Sequence, residues 1–346
     1  MGAKALPALG KSPFGLPMPR NDTRPSPARL ATILSRQDPP AWGSDYLPGQ
    51  LGTKEEAPDA SRPGTFTCAE LGRDVHYMGT PERAAQLVGF YSGMAKELHE
   101  GRMIPRTPTP GPLTNYKPAI GQPVLGFSGT IEVADRLGCL KWHPTVKVPD
   151  KEGSGKQKTV AYPLLGDLLW FFHTGDGIRA VNWTVKDVPE AFDRPFAGQW
   201  PQKPVTAEDV DAASARSLIE AEAYQEVDIP TVKVTLEEIP KTLRNNLLAL
   251  YKPVPHACRL DPGLRKDFID EVRVRTQQGG RPLDVMLHHL RQYGWTMTDY
   301  HMALLRAIWT RELKVDLTRA VCVDAPLQPE RKTVIEMFPN WFSPKL

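Results

Sequence analysis

The chain has 346 residues, which is enough for two globular domains with extensions. Hydrophobic residues make up 40% and charged residues 24%, an ordinary composition for a globular protein, and no apolar run approaches the roughly 20 residues of a membrane-spanning helix. We expect no membrane association. The net charge is only +3, but residues 241–346 hold 17 basic and 11 acidic side chains, which is compatible with phosphate contacts there.

The first residues and the cysteines bear on the cellular compartment. The N-terminal residues lack the charged, apolar and small-residue pattern of a secretory signal, and the four cysteines form no CxxC pair. We therefore expect a cytoplasmic protein that has neither a zinc site nor a disulfide framework.

The N-terminal third is unusually rich in proline. The chain contains 35 prolines, about twice the usual share, and many of them precede residue 124. Because no hydrophobic period is sustained, residues 1–62 are predicted to form a disordered arm. Residues 63–124 are predicted to hold a helical extension and a Pro-rich connection. The helix is expected to start at Thr80-Pro81-Glu82 and to end near His99.

From residue 125 to residue 255 the hydrophobic period alternates between helix and strand. The pattern predicts a helix over 128–140, strands over 143–150, 158–164, 165–172 and 178–186, a helix over 205–227, a strand over 229–235 and a helix over 236–251. Helices interleaved with strands indicate an α/β fold in which helices cover a mixed sheet.

A second unit is predicted over residues 256–330, followed by a C-terminal tail over 331–346. It contains three helical stretches and two short β-branched runs, at 262–278, 282–292, 298–312, 314–317 and 320–323. Three helices and a two-stranded ribbon are the layout of a winged helix. Arg306 and Arg311 are the candidate DNA-binding residues if the last helix enters a groove.

One predicted hairpin carries an acid where an apolar residue is expected. Asp167 lies between Leu164-Leu165 and Leu168-Leu169, and a carboxylate buried there costs several kcal/mol unless a cation compensates it. On the next strand Asn182, Thr184 and Lys186 alternate, so their side chains project from one face. An acid on one strand and a polar stripe ending in lysine on its neighbour are typical of a metal-assisted hydrolytic site.

The chemistry of such a site requires an ion that binds oxygen. Mg²⁺ neutralises charge on a scissile phosphate and lowers the pKa of an attacking water, and it is held by carboxylates, carbonyls and waters. A neighbouring lysine stabilises the developing negative charge. Glu132, on the preceding predicted helix, is the candidate second carboxylate, with Asp135 as the alternative inward-facing acid. The predicted catalytic residues are therefore Glu132, Asp167 and Lys186.

This pattern resembles the PD-(D/E)xK nuclease motif, and the chain is similar to the TnsA family, the endonuclease subunit of heteromeric cut-and-paste transposases. The similar segments are 128–132, 141–146, 167–186, 224–229, 234–239, 245–250 and 304–317. Together they span about residues 125–325. The resemblance implies a restriction-endonuclease-like catalytic domain followed by a winged-helix-like domain.

The resemblance also implies a set of metal ligands. Glu132, Asp167, Thr184 and the Val185 carbonyl occupy the matching positions, and Mg²⁺, or Mn²⁺ as a substitute, is the expected ion. Two positions depart from the family pattern. Gly166 stands where the family has proline, and Thr184 stands where it has glutamine or glutamate, which are better ligands than threonine.

By this resemblance, the chain cleaves the 5′ non-transferred strands at transposon ends in the bacterial cytoplasm. The implied partners are transposon-end DNA, a DDE-type transposase subunit and an ATPase regulator. Two alternatives stay open. One is a docking subunit of the same complex that no longer cuts, which Thr184 favours. The other is a stand-alone restriction or repair nuclease.

Overall fold

The computed structural model describes residues 24–58, 61–150, 156–194 and 205–343, which form an α/β protein. The strands are β1 (Gly64–Cys68), β2 (Arg73–Tyr77), β3 (Ala95–Glu100), β4 (Met103–Ile104), β5 (Thr109–Pro110), β6 (Gly126–Phe127), β7 (Thr145–Pro149), β8 (Gln157–Ala161), β9 (Leu164–Leu165), β10 (Leu168–Thr174), β11 (Gly177–Lys186) and β12 (Thr231–Thr235). The α-helices are α1 (Pro27–Gln37), α2 (Thr80–Tyr91), α3 (Thr130–Arg136), α4 (Ala207–Gln225), α5 (Lys241–Tyr251), α6 (Pro262–Gln277), α7 (Pro282–Tyr293), α8 (Met297–Trp309), α9 (Val334–Met337) and α10 (Pro339–Phe342). Within these ranges no helix is long and apolar enough to cross a lipid bilayer.

A four-stranded mixed sheet forms the centre of the fold, in the order β12-β11-β10-β3. β3, β10 and β11 are antiparallel neighbours, whereas β12 runs parallel to β11. A parallel neighbour needs a crossover connection, and α4 lies in the one between β11 and β12. The other strands pair in short two-stranded sheets.

Alternate residues of β10 are buried on opposite faces of the sheet. Trp170 packs in the larger core with residues of α2, α5 and α8, while Phe171 packs in a second core with residues of α3 and α4. Residues 168–172 are at most 1% exposed. A strand covered on both faces has a continuous apolar sequence, which explains why 168–172 shows no polar alternation.

Gly89 allows helix α2 to pack directly against the Trp170 indole of the sheet. A Cβ atom at Gly89 would stand 2.3 Å from Trp170 Cζ2 and 2.6 Å from Trp170 Cη2. The indole of Trp170 is fully buried, and Phe90 packs edge-on against it at 5.1 Å. Glycine therefore sets the distance between α2 and β10, and with it the height of the α2 N-terminal end above the sheet.

The N-terminal arm differs from the prediction of disorder. Residues 1–23 lie outside the described residues, but α1 is formed, and its Leu30 and Ile33 are buried in a small third core. Tyr46 donates a hydrogen bond to the Glu100 carbonyl and stacks on the His99 ring at 4.0 Å. This segment is held by contacts distant in sequence: Leu30 and Ile33 pack with Met103, Val146 and Tyr162, and Tyr46 covers the edge strand β3.

The helix predicted to run to His99 ends at Tyr91. Gly93 has a φ of +72°, which turns the chain out of the helix, and residues 95–100 continue as β3. The helix bounds predicted for 205–227 and 262–278 agree with α4 and α6 to within two residues. The predicted strands over 143–150 and 178–186 are also present, as β7 and β11.

The C-terminal unit contains the three predicted helices α6, α7 and α8, but the predicted ribbon is not formed. Residues 314–317 and 320–323 carry no strand; Val315 makes only an isolated bridge to Pro329. Val315 and Leu317 are instead buried in the larger core, so these apolar side chains pack against helices rather than form a wing.

The predicted tail is part of the folded protein up to residue 343. Trp183 Nε1 donates a hydrogen bond of 2.8 Å to the Trp341 carbonyl, and Phe342 packs against both Trp183 and Phe172. Helix α10 therefore closes one face of the central sheet. Residues 344–346 lie outside the described residues.

We expect Gly89→Ala to destabilise the protein. Alanine usually stabilises a helix by about 1 kcal/mol relative to glycine, but the clash with the buried Trp170 should lower the free energy of unfolding by a net 1–3 kcal/mol or so. Urea denaturation measures this difference. Gly175→Ala, where the added Cβ meets open space, is the control and should change stability by less than about 0.5 kcal/mol. An unchanged or raised stability for Gly89→Ala would contradict the packing argument.

Candidate active site

A cavity of about 90 Å³ lies where β10 begins, beside the N-terminal end of α2. Segments that are far apart in sequence contribute to it. The lining residues are Gln50, His76, Met78, Glu82, Glu100, Gly101, Leu165, Gly166, Asp167 and Arg216. Three carboxylates therefore border one small space.

Asp167 and Lys186 are brought together at this cavity. The Asp167 Oδ2 atom accepts a hydrogen bond of 2.7 Å from the Val185 backbone N–H and lies 3.6 Å from Lys186 Nζ. The strand register explains this contact: Leu169 is opposite Asn182 in the β10–β11 pair, so residue 167 lies beside residue 184. The alternation in the sequence predicted the same arrangement.

Thr184 and Asn182 both donate hydrogen bonds to a second acid. Asn182 Nδ2 donates a hydrogen bond of 2.9 Å to Glu220 Oε1, and Thr184 Oγ1 donates one of 3.1 Å to the same oxygen. Glu220 lies on α4 and is 4% exposed. Burial, and then the charge of Asp167, raises the pKa of the Glu220 carboxyl above its ordinary value.

Glu82, on helix α2, borders the same cavity as Asp167. It lies in the first turn of α2, and its Oε2 accepts a hydrogen bond of 2.6 Å from the Met78 backbone N–H. Burial, with a further contribution from the charge of Asp167, raises the pKa of Glu82 to about 8, although Lys186 acts in the opposite direction. At neutral pH this carboxyl therefore holds its proton unless a cation compensates it.

Glu132 does not lie at this cavity. It is exposed on α3, whose buried residues Thr130, Val133 and Ala134 occupy the opposite side of the helix. α3 packs against α4, and its buried side faces the core beneath the central sheet, so Glu132 points away from both. The alternative acid, Asp135, is also exposed.

The sequence analysis did not predict Glu82 as a site residue, because an acid after Thr80-Pro81 is explained by the start of a helix. The signal that was available is an acid in the first turn of the helix that immediately precedes a strand, β3, paired with the Asp167 strand. Glu220 gave no local signal, because α4 carries several acids and no marked apolar face, so nothing in the sequence separates the buried Glu220 from its exposed neighbours. Only the pairing of strands and helices brings these two acids together with Asp167.

A buried ion pair supports the rear of the cavity. Arg73 Nη1 lies 2.7 Å from Glu100 Oε1, and the same oxygen accepts a hydrogen bond from the His76 backbone N–H. This pair joins β2 to the edge strand β3. The Glu100 charge is therefore already compensated, which sets it apart from Glu82 and Glu220: among the described residues no salt bridge reaches either of those two.

Val185, the last of the predicted metal ligands, lies on β11 beside Asp167. Val185 directs its backbone N–H to Asp167, and its side chain is buried on the opposite face of the sheet. Across the described ranges, no three His, Cys, Asp or Glu side chains converge as a preformed metal cage would. Mg²⁺ usually needs only one or two carboxylates together with waters, and Asp167 and Glu82 both line this cavity.

The two candidate DNA-binding arginines both make intramolecular contacts. Arg311 follows the end of α8 and donates two hydrogen bonds to Glu330, of 2.9 and 2.8 Å, while its guanidinium lies over the Tyr91 ring. Arg306 Nη1 donates to the His256 carbonyl at 2.6 Å and borders a second, wider cavity. Arg311 is therefore occupied by a structural ion pair, whereas Arg306 is half-buried beside open space.

Comparisons with known proteins add no family assignment. No model of a known protein family matches this chain, and no curated protein matches it. The interpretation of the site therefore depends on its own residues and geometry.

We expect the stability of the metal-free protein to fall with rising pH through Glu82. The unfolded chain ionises this carboxyl near its ordinary value of 4.5, but the folded protein retains the proton up to about 8. The stabilisation is present below pH 4.5 and is lost as the pH rises towards 8, by at most about 1.4 kcal/mol per pH unit.

Urea denaturation in chelator at pH 5 and pH 8 tests this expectation. Glu82→Gln should be more stable relative to the parent at pH 8 than at pH 5. The exposed Glu237→Gln is the control and should show the same difference at both pH values. An equal effect of Glu82→Gln at both pH values would contradict the raised pKa.

We also expect Arg311 and Glu330 to be coupled in stability. Arg311→Ala leaves Glu330, whose side chain is 11% exposed, without its cationic partner. A double-mutant cycle of Arg311→Ala and Glu330→Ala should give a coupling energy of about 1 kcal/mol or more. Additive effects would show that the pair does not contribute, and would leave Arg311 available for other contacts.

Proposed function

We propose that this chain is a metal-dependent DNA endonuclease whose active site contains Asp167, Lys186 and Glu82. The observation that carries the proposal is the contact of Lys186 with Asp167, 3.6 Å apart, at the edge of a cavity that Glu82 also borders. An acid fixed by a backbone N–H beside a lysine is the arrangement that phosphodiester hydrolysis assisted by a metal ion requires.

The architecture supports the same proposal. A mixed sheet with α2 on one face and α4 on the other agrees with the restriction-endonuclease-like fold that the PD-(D/E)xK resemblance implies. In the C-terminal unit the three helices agree with the proposed winged-helix relationship, but the ribbon is missing. We therefore propose that helices α6–α8, rather than a wing, provide any contact with DNA or a partner.

The donor groups fit a divalent ion that prefers oxygen. Asp167 and Glu82 present carboxylate oxygens to the cavity, and the Asn182 Oδ1 atom is buried without a hydrogen-bond donor. Bound there, Mg²⁺ or Mn²⁺ would supply charge neutralisation at the scissile phosphate and would activate a water. Asp167 and Glu82 would hold it, and both are oriented in advance by backbone N–H groups of Val185 and Met78.

Lys186 has a separate task in this proposal. Its side chain is 38% exposed, whereas that of Asp167 is 19% exposed, so its ammonium group lies at the outer edge of the site. A positive charge there is positioned to stabilise negative charge that develops on a phosphate. The contact with Asp167 limits the positions that the flexible lysine side chain can occupy.

Within this class, we propose the role that the TnsA resemblance implies. The chain would cut the 5′ non-transferred strands at transposon ends, together with a DDE-type transposase and an ATPase regulator. The second candidate is a docking subunit without cleavage. Thr184 favours it, because a hydroxyl that already donates to Glu220 brings no negative charge to the metal.

Cleavage of transposon-end DNA in Mg²⁺ or Mn²⁺ by the chain with its transposase partner tests the proposal. Asp167→Ala, Lys186→Ala and Glu82→Gln should each reduce 5′-strand cleavage by at least about 100-fold, which corresponds to about 2.7 kcal/mol of transition-state stabilisation. The transposase's own 3′ cleavage, followed in the same reaction, shows that the complex still assembles.

Glu132→Gln is the matched control, since it removes an exposed acid from a helix outside the cavity. It should cleave as the parent does. If Glu132→Gln abolished cleavage and Glu82→Gln did not, the ligand set proposed here would be replaced by the one expected from the sequence. If the parent complex cut 3′ ends but no 5′ ends, the docking subunit would be the better interpretation.

A further inference from the structure

We propose that Glu220 supplies the carboxylate that strand position 184 lacks, and that Thr184 and Asn182 are the positioning residues that hold it. This inference rests on the proposed metal-dependent function. It pairs Asp167 with an acid from helix α4 rather than from strand β11, and it gives the threonine at position 184 a defined task.

The hydrogen bonds at Glu220 fix one oxygen and leave the other available. Asn182 Nδ2 and Thr184 Oγ1 both donate to Oε1, at 2.9 and 3.1 Å. In the part of the chain that the structure describes, no hydrogen-bond donor is paired with Oε2. Oε2 is not among the fully buried side-chain atoms that lack a partner, so it keeps accessible surface and can take a ligand. A metal ion at Asp167 would be within the reach of this second oxygen.

The Asn182 side chain gives an independent indication of a ligand. Asn182 is fully buried, and its Oδ1 atom has no hydrogen-bond donor. A Cβ atom placed at Gly166, directly before Asp167, would stand 3.5 Å from Asn182 Oδ1 and 3.6 Å from Glu220 Oε1. The Tyr224 hydroxyl, also buried without a partner, would stand 3.3 Å from the same Cβ position. Glu220 Oε1 already accepts two hydrogen bonds, so Asn182 Oδ1 and the Tyr224 hydroxyl are the two unpaired groups here, and a water or a hydrated cation beside Asp167 would satisfy both.

The local structure keeps Glu220 at this place. Ile219 and Ala223 are buried against the sheet, and the N-terminal end of α4 is fixed by the capping box of Thr206 and Asp209. The nearest basic side chain on the same helix, Arg216, is exposed and donates to the Leu165 carbonyl at 3.0 Å. Glu220 is therefore held rigidly and is not used in an internal ion pair.

Calorimetric titration of the full chain with Mn²⁺ tests the inference without depending on cleavage. Glu220→Gln should weaken Mn²⁺ binding by at least 10-fold or so, and Thr184→Val by a smaller factor, because outer-shell groups also affect metal affinity. Glu222→Gln, which removes an exposed acid from the same helix, is the matched control and should bind Mn²⁺ as the parent does.

A double variant that moves the carboxylate from helix α4 to strand β11 tests whether Glu220 binds the metal or only supports the structure. In the double variant Thr184→Glu/Glu220→Gln, the carboxylate returns to position 184, and we expect Mn²⁺ affinity to recover to within about threefold of the parent. A purely structural Glu220 predicts no recovery. The thermal transition of each variant, recorded in chelator, identifies any variant that fails to fold. If Glu220→Gln is such a variant, recovery of folded protein without Mn²⁺ binding in the double variant would overturn the proposal.

Asp167→Ala distinguishes the failure of this inference from the failure of the proposed function. If Glu220→Gln binds Mn²⁺ as tightly as the parent while Asp167→Ala does not bind it, Glu220 is not a ligand and the metal site at Asp167 stands. If Asp167→Ala also binds Mn²⁺ normally, the metal-dependent function itself is wrong at this site.

Discussion

The pairing of β10 with β11, covered on both faces, is the constraint on which the rest of the structure depends. Trp170 and Trp183 are fully buried on one side of this hairpin and Phe171 on the other, so nearly all of its length is closed to solvent. The accessible polar groups Asp167 and Lys186 lie at the end of these strands, next to the buried Asn182 and Thr184. The same packing holds α2 and α4 at fixed distances above and below that end.

The acids at this end of the hairpin lack the cationic partners that neighbouring acids have. Glu100 is neutralised by the buried Arg73 only one strand away, whereas Glu82 and Glu220 have raised pKa values, chiefly because burial disfavours their charged forms. Keeping uncompensated acids in a region of low dielectric reduces stability. A divalent ion would reverse this penalty, which links metal binding to the stability of the whole site and is consistent with a functional rather than a structural reason for these acids.

Local sequence predicted the parts of the site that lie on one hairpin. Asp167 and Lys186 come together because a strand alternates every second residue and a tight turn fixes the register, and both facts are visible in the sequence. The second acid was predicted as Glu132, from the helix nearest in sequence. The structure places Glu82 at the cavity instead, because the sheet order sets β3, and so the end of α2, next to β10.

The sequence by itself determined the α/β class, the central hairpin, helix α4 and the three C-terminal helices, because each depends on a period or a cap within a few residues. Only the tertiary structure decided that residues 27–58 are folded, that residues 314–323 form no ribbon, and which acids lie near Asp167. Tyr46, Val315 and Glu220 gain their positions from contacts with residues more than ten positions away. Such contacts are set by which surfaces must be buried together, and that information is distributed over the whole chain.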